Sequence, residues 1–503
     1  VTPHRQTWLI FLLAAICNAI GCSAKWTPTK PGRVGVAASW TPSRSMSEPR
    51  YQHSITRLMS GDILVAGGRT PVASVETNVI RSAEVYRAKH GIWSTAGSMR
   101  QARAYHAATL LNDGRVLVTG GINLVDGVLD SVELFWSHNL EWTAGAPMHT
   151  ARREHTATLL RDESVLVAGG QNGSPLRSAE VFDPRDGHWR RVGDLANARQ
   201  SASAALLPNG RVLVAGGVGQ NRADDYLDSA EIYDPVSKNW SVTGALAEGR
   251  DYTTLTPLRD GRVIAIGGRG SAGALSSMEV YDTRGGSWIQ AGRLRVPRYD
   301  HRVVVMPSGV LMVIGGLGSD DRVLDSVELI DPIRFISDVG PRLSMPRYGA
   351  GVTTTTSGRV VVTGGAQTLS DASTIYASSE ILFAGSHIAR LAPSIGSVRR
   401  EPGYVIIIGH RFTDYLQRSG GGFQNDSAVA PVITVACEPT HTTVPTAAPG
   451  QQYWSDSEVR LAIVDTCPDQ RLVVTLETPS GAKSSASTAD VRKANSVSVE
   501  KSE

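Results

Sequence analysis

The chain has 503 residues, enough for two domains or for one large repeat array with an appendage. Its formal net charge is only +3, so no strongly basic face is expected and nucleic-acid binding is excluded as a leading reading. With 51 glycines and many short β-type runs, the composition suits an all-β protein rich in tight turns.

Residues 1–22 read as a targeting segment. A polar stretch with Arg5 precedes the apolar run LIFLLAAICNAI, which is too short to cross a bilayer comfortably and fits a secretory h-region. The run ends in Ala19-Ile20-Gly21-Cys22. Small residues before a Cys resemble the lipobox of bacterial lipoproteins, although Ala19 stands where Leu is usual. The resemblance implies lipidation of Cys22, with residues 23–35 as a tether. It also implies export to a bacterial outer membrane or cell surface, held by the lipid alone; a periplasmic or secreted protein is the alternative. The other cysteines are Cys17, Cys437 and Cys467. Cys437 and Cys467 are expected to pair, closing a loop of about 30 residues worth ~3 kcal/mol in the chain-entropy model.

From residue 36 to about 385 the chain repeats. A hydrophobic run followed by twin glycines occurs at Gly67, Gly120, Gly169, Gly216, Gly267, Gly315 and Gly364, spaced 53, 49, 47, 51, 48 and 49 residues apart. A period near ~50 residues marks a repeat architecture rather than a phosphate-binding turn. An Arg stands 17 residues before the first Gly in every copy: Arg50, Arg103, Arg152, Arg199, Arg250, Arg298 and Arg347. A Ser-x-Glu follows in every copy, with Glu84, Glu133, Glu180, Glu231, Glu279, Glu328 and Glu380. Nine residues later comes Trp93, Trp142, Trp189, Trp240 or Trp288, and ten residues after each Trp comes the next Arg. Only the Gly-to-Glu segment varies, from 11 to 17 residues. Rigid spacings belong to strands and tight turns, and the variable segment is a loop. Each copy therefore predicts four strands: a after the Arg, b into the glycines, c with the Glu and d with the Trp. Four-stranded sheets that cannot bury both faces alone stack radially as a β-propeller.

These residues resemble the kelch repeat, in the twin Gly, the aromatic-Asp after Glu ("VFDP", "IYDP") and the Trp of strand d. The resemblance implies a seven-bladed propeller. The sixth copy has Ser337 in place of Trp, with Phe335 near enough to fill the space. The seventh lacks a strand d, whereas Trp40 stands ten residues before Arg50 with no copy of its own. The N-terminal strand is therefore expected to complete the last blade, the known closure of kelch propellers. Residues 386–483 carry non-periodic β-runs and predict a small β-sandwich. "APSIGSVRREPGYVIIIGHRF" resembles an IPT/TIG-type immunoglobulin-like domain, and the domain order resembles galactose oxidase. Residues 484–503 are polar and expected to be disordered.

The repeated Arg and Glu admit two readings, a charged ligand-binding ring or a structural contact in every blade. Sevenfold repetition favours the structural one. His53, His106, His155 and His301, three residues after the repeat Arg, are read as strand caps rather than metal ligands, and no metal or other cofactor is expected. Galactose oxidases use copper and a Tyr cross-linked to a propeller Cys. No Cys lies between residues 23 and 436, so the resemblance does not carry that activity over. The b–c and d–a loops of kelch propellers open on one side. Candidates for a binding face there are Arg50, Tyr51, Tyr105, Arg153, Tyr252, Arg298, Tyr299, Arg347 and Tyr348, since Arg and aromatic groups are favoured at recognition surfaces. The expected function is non-catalytic binding of a protein or glycan by a monomer at the cell envelope. The alternative is a carbohydrate-active enzyme, of oxidase, epimerase or lyase type, on the same face.

Overall fold

The computed structural model describes residues 39–382, apart from 72–76, 222–224 and 370–373, and eight further strands between Ser394 and Ser487. The expected signal, Cys22 and the tether lie outside the described residues.

Seven four-stranded antiparallel sheets form the blades, each in the order a-b-c-d. Strands a to d are Ser54–Arg57, Ile63–Ala66, Ser82–Arg87 and Ile92–Ser98 in blade 1. Blades 2 to 6 repeat this pattern, with strands a at Ala107–Leu110, Thr156–Leu159, Ser203–Leu206, Thr254–Pro257 and Arg302–Val305. Blade 7 takes a, b and c from Gly351–Thr354, Val360–Thr363 and Ser379–Leu382, and its d from Trp40–Pro42. Trp40 pairs with Leu382, and Pro42 with Glu380. Each strand a lies beside the strands a of both neighbouring blades, and blade 7 lies beside blade 1, so the ring is closed.

Strand b is buried along its whole length in six blades, and in blade 2 at every position but its first, Arg115, as expected for a strand covered on both faces. Its Val, Ile, Leu and Ala side chains pack between adjacent sheets. Strand d adds a ring pair to strand c, with centroids 5.0–5.2 Å apart: Tyr86–Trp93, Phe135–Trp142, Phe182–Trp189, Tyr233–Trp240 and Tyr281–Trp288. Several of these indoles also reach the preceding blade. Trp142 Nε1 donates to Ala96 O at 2.8 Å and Trp189 Nε1 to Ala146 O at 2.9 Å. Trp40 does the same from blade 7, donating to Pro341 O at 2.8 Å. In blade 6 Ser337 occupies the Trp register opposite Ile330. Phe335 fills the gap, packing against the apolar cluster shared by blades 5 and 6.

The twin glycines answer to a contact between blades. The first has φ between 54° and 70°, and a Cβ on Gly120 would lie 2.2 Å from the Arg152 carbonyl of the next blade. The second Gly donates its N–H to the carbonyl of the next blade's repeat Arg, at 2.8–3.0 Å in all seven copies, ending with Gly365 to Arg50. No side chain fits where two backbones approach this closely.

Beyond the propeller, two four-stranded antiparallel sheets follow. One joins Ser394–Glu401, Tyr404–His410, Glu458–Ala462 and Tyr453–Trp454 in that order. The other joins Thr442–Thr443, Val432–Glu438, Arg471–Glu477 and Lys483–Ser487. Cys437 sits in Val432–Glu438, and Cys467 lies outside the described residues. The tail expected to be disordered from residue 484 is strand as far as Ser487.

Candidate functional site

The repeat arginines are not on a binding face. All seven are at most 1% exposed. Each guanidinium donates to the first Gly carbonyl of its own copy, to the Ser carbonyl and hydroxyl, and to the Glu, the Arg–Glu distance being 2.5–3.0 Å. The Glu in turn accepts backbone N–H groups of the d–a linker, such as Ala196 at 2.6 Å and Asn197 at 3.1 Å on Glu231. The pair thus ties three segments of one blade together. Arg50, Arg298 and Arg347, candidates for the binding face, are corrected to this structural role, because their side chains are buried and their terminal guanidinium nitrogens are consumed inside the blade.

The tyrosine candidates separate into two classes one residue apart. Tyr51, Tyr299 and Tyr348 directly follow the repeat Arg. Their backbones bridge to the start of the b–c loop, at Arg69, Leu317 and Ala366. All three rings are buried, Tyr51 edge-on to Tyr348 at 5.7 Å, and they hold the loops rather than face a ligand. Arg153 occupies the same position in blade 3, bridging to Gln171, and remains half-buried.

Tyr105 and Tyr252 lie one residue further on, where the chain does something unusual. At that position Gln52, Tyr105, Glu154, Ser201, Tyr252, Asp300 and Gly349 all have φ between 45° and 60°. Six are not glycine, although this left-handed region is uncommon for other residues. The turn aims their backbones around the axis. Gln52 N–H donates to Gly349 O, Tyr105 to Gln52, Glu154 to Tyr105, Ser201 to Glu154 and Tyr252 to Ser201, at 2.8–3.4 Å. These five backbone hydrogen bonds form a belt from blade 7 through blades 1 to 4 to blade 5, and side chains at this position ring a central cavity of about 310 Å³.

Polar groups converge there. Ser201 Oγ donates to Glu154 at 2.6 Å, Gln52 Nε2 to Asp300 at 3.0 Å and Arg302 to Asp300 at 3.0 Å. Tyr105 lies between the guanidinium groups of Arg69 and Arg153, at 5.5 and 6.0 Å from its centroid, and burial pushes its hydroxyl up to about 12. Arg269 is surrounded by Tyr226, Tyr252 and Tyr299 and forms a salt bridge to Asp251 at 2.8 Å. Burial outweighs that bridge and raises the Asp251 carboxyl to about 6. Tyr299 donates to Asp321 of the blade 6 loop.

His106, His155 and His301 stand on the cavity wall, and His53 is buried at the equivalent position of blade 1. Their Nε2 atoms pair with hydroxyls of the preceding blade: His53 with Thr363 at 2.9 Å, His106 with Ser54 at 2.9 Å, His155 with Thr119 at 2.8 Å and His301 with Thr254 at 3.3 Å. Burial lowers all four pKa values, that of fully enclosed His301 to about 3, so the rings are neutral at pH 7.

Sequence reasoning missed Gln52, Glu154, Ser201, Asp300 and Arg302. No sequence signal marks them, because the residues one, two and three positions after each repeat Arg all change from copy to copy.

The kelch motif model matches residues 152–196, 201–244 and 259–295, in blades 3, 4 and 5. No curated protein matches the chain. A solved structure described as a novel fungal alcohol oxidase with catalytic diversity among the AA5 family, in complex with copper, is similar over 89% of this chain and 98% of its own. Its TM-score is 0.60 and its identity 16%, a likeness of fold. The residues here do not fit a copper centre of the galactose oxidase kind. Among the described residues no three His, Cys, Asp or Glu side chains are grouped to hold a metal, and the propeller has no Cys for a cross-link. Three of the blades match the kelch motif, and the seven copies of the repeat fold into a closed seven-bladed β-propeller.

Proposed function

We propose that the propeller is a non-catalytic binding module whose ligand, a glycan or protein, enters the central cavity from the d–a and b–c loop side. One observation carries the reading. Chemically diverse side chains project from a constant backbone belt, which suits recognition better than packing. The convergence of carboxylate, amide and hydroxyl groups with half-buried Tyr105 and Tyr252 favours a polyhydroxylated ligand. Few polar groups around aromatic surface are the usual make-up of a small-molecule site.

Binding is tested by a glycan array followed by calorimetry. Tyr105→Ala and Glu154→Gln should each weaken binding about tenfold or more, equivalent to ~1.4 kcal/mol, without lowering the melting temperature by more than a few degrees. Turnover of a bound sugar by the purified protein would replace this reading with the enzymatic one. We also propose that the module is exported and anchored through Cys22. Labelled palmitate should mark the wild type and not Cys22→Ala; equal labelling would refute the anchor.

A further inference from the structure

One cation at the rim of the cavity stands apart from the other charged groups there. Asp300 is met by Arg302 and Gln52, Asp251 by Arg269, and Asp321 by the Tyr299 hydroxyl. Arg69 is engaged by the Tyr51 hydroxyl. Arg153 has no such partner. Among the described residues its guanidinium makes no ion pair and no hydrogen bond, and its Nε is buried without an acceptor.

A carboxylate that could have met it lies one residue away and is turned elsewhere. Glu154 takes the left-handed turn, with φ of 54°, and accepts from Ser201 Oγ at 2.6 Å inside the cavity. Arg153 is fixed by its backbone, which exchanges hydrogen bonds with Gln171 at 3.2 and 2.9 Å. Its guanidinium lies 6.0 Å from the centre of the Tyr105 ring, which is part of the cavity wall. The ring face attracts the cation, and the N–H fork in the guanidinium plane stays open to an acceptor. Burial keeps the Tyr105 hydroxyl protonated, so it serves as a neutral donor beside the cation.

Behind this rim, Glu154 and Asp300 line the cavity. Ionised carboxylates only accept, so the part of a ligand that reaches them must donate, as sugar hydroxyls do. A phosphate with two charges meets two like charges there. A carboxylate carries one charge and matches a single guanidinium fork through two parallel hydrogen bonds. A peptide is ordinarily held by an open strand edge or by apolar side-chain pockets, and the cavity lining is instead rich in hydroxyl, amide and carboxylate groups.

Resting on the cavity reading above, we propose that the ligand is an acidic sugar, a uronate or a glycan ending in one, whose carboxylate pairs with Arg153 at the rim beside Tyr105 while its hydroxyls donate to Glu154 inside.

The full chain is screened on an array of glycans in matched pairs that differ only by a carboxylate in place of a hydroxymethyl group: glucuronate for glucose, galacturonate for galactose, mannuronate for mannose. Calorimetry follows on the best pair and on glucose 6-phosphate. The uronate should bind about tenfold or more tighter than its neutral parent. That ratio should shrink between about 50 and about 500 mM NaCl, because a pair at a half-buried rim is screened by salt. In Arg153→Met the ratio should fall close to one. In Arg153→Lys, which keeps the charge and loses the planar fork, it should lie between the two. A ratio near one in the wild type, or a ratio unchanged in both variants, overturns the acidic assignment and leaves the cavity reading intact. Tighter binding of glucose 6-phosphate than of the uronate overturns the carboxylate in favour of a phosphate. Binding of no sugar, acidic or neutral, overturns the inference and the glycan form of the function together.

Discussion

At the scale of residues, the propeller is held by buried charge. A buried ion pair stabilises only when every donor and acceptor is met, because desolvation of each ion is costly. Here the terminal guanidinium nitrogens and the carboxylate oxygens are met in all seven blades, by the twin-Gly carbonyl, the Ser hydroxyl and the linker N–H groups, while Arg50, Arg103, Arg152 and Arg199 each keep a buried Nε without a partner. Removing one partner is therefore severe. Glu231→Gln leaves Arg199 buried without its counter-charge and should cost about 3–5 kcal/mol in denaturant unfolding. The histidines give stability a pH dependence of definite sign. Their folded pKa values lie below the ordinary ~6.5, so their contribution is complete above that pH. It is lost as pH falls toward the folded value, about 3 for His301. The slope is at most about 1.4 kcal/mol per pH unit for each ring. Asp251, raised to about 6, binds its proton earlier in the folded state and offsets one ring in the opposite direction. Net destabilisation between pH 6.5 and 4.5 is expected, and His301→Gln should make the decline shallower. A flat stability profile over that range would refute it.

At the scale of elements, the sequence is most readable where geometry repeats. The Arg, twin Gly, Glu and Trp spacings each correspond to one contact made in every blade, so period alone reveals strands b, c and d. The orphan Trp40 is legible for the same reason, since it keeps its distance to Arg50. Trp40→Ala removes an indole that is 9% exposed and lies in the core of blades 6 and 7. It should cost about as much as Trp189→Ala, on the order of 3–5 kcal/mol. An effect within about 0.5 kcal/mol, the range for surface sites, would show that blade 7 does not depend on its N-terminal strand. The site was less legible. Tyr51 and Tyr105 are the same residue type, one position apart in the repeat. Only the left-handed turn at the second position sends one into a loop contact and the other to the cavity. Composition carries no trace of that turn, because Gln, Tyr, Glu, Ser and Asp all adopt it here. Arg50 likewise reads as a surface cation until its seven-fold partner Glu is placed beside it.

At the scale of the whole molecule, closure changes how stability is shared. In an open repeat array each unit answers only to its neighbours, and the ends fray first. Here the bond from Gly365 to Arg50 and the pairing of Trp40 with Leu382 remove both ends. The propeller should unfold in one transition. In a blade 4 variant such as Glu231→Gln, amide exchange should accelerate as much in Trp40–Pro42 as in the strands of blade 4; protection that persists in blade 7 would contradict a cooperative ring. The belt of left-handed residues has a different consequence. Its five hydrogen bonds are made by backbone alone, so the side chains at the six stations they join are interchangeable without rewiring the frame, whereas Asp300 is held by the Gln52 and Arg302 side chains. Gly349 and Tyr252 occupy equivalent stations with φ of 60° and 45°. The belt is a set of sockets: the architecture fixes where each group points, and the occupant of each socket, free to differ from its neighbours, spells out what the cavity accepts.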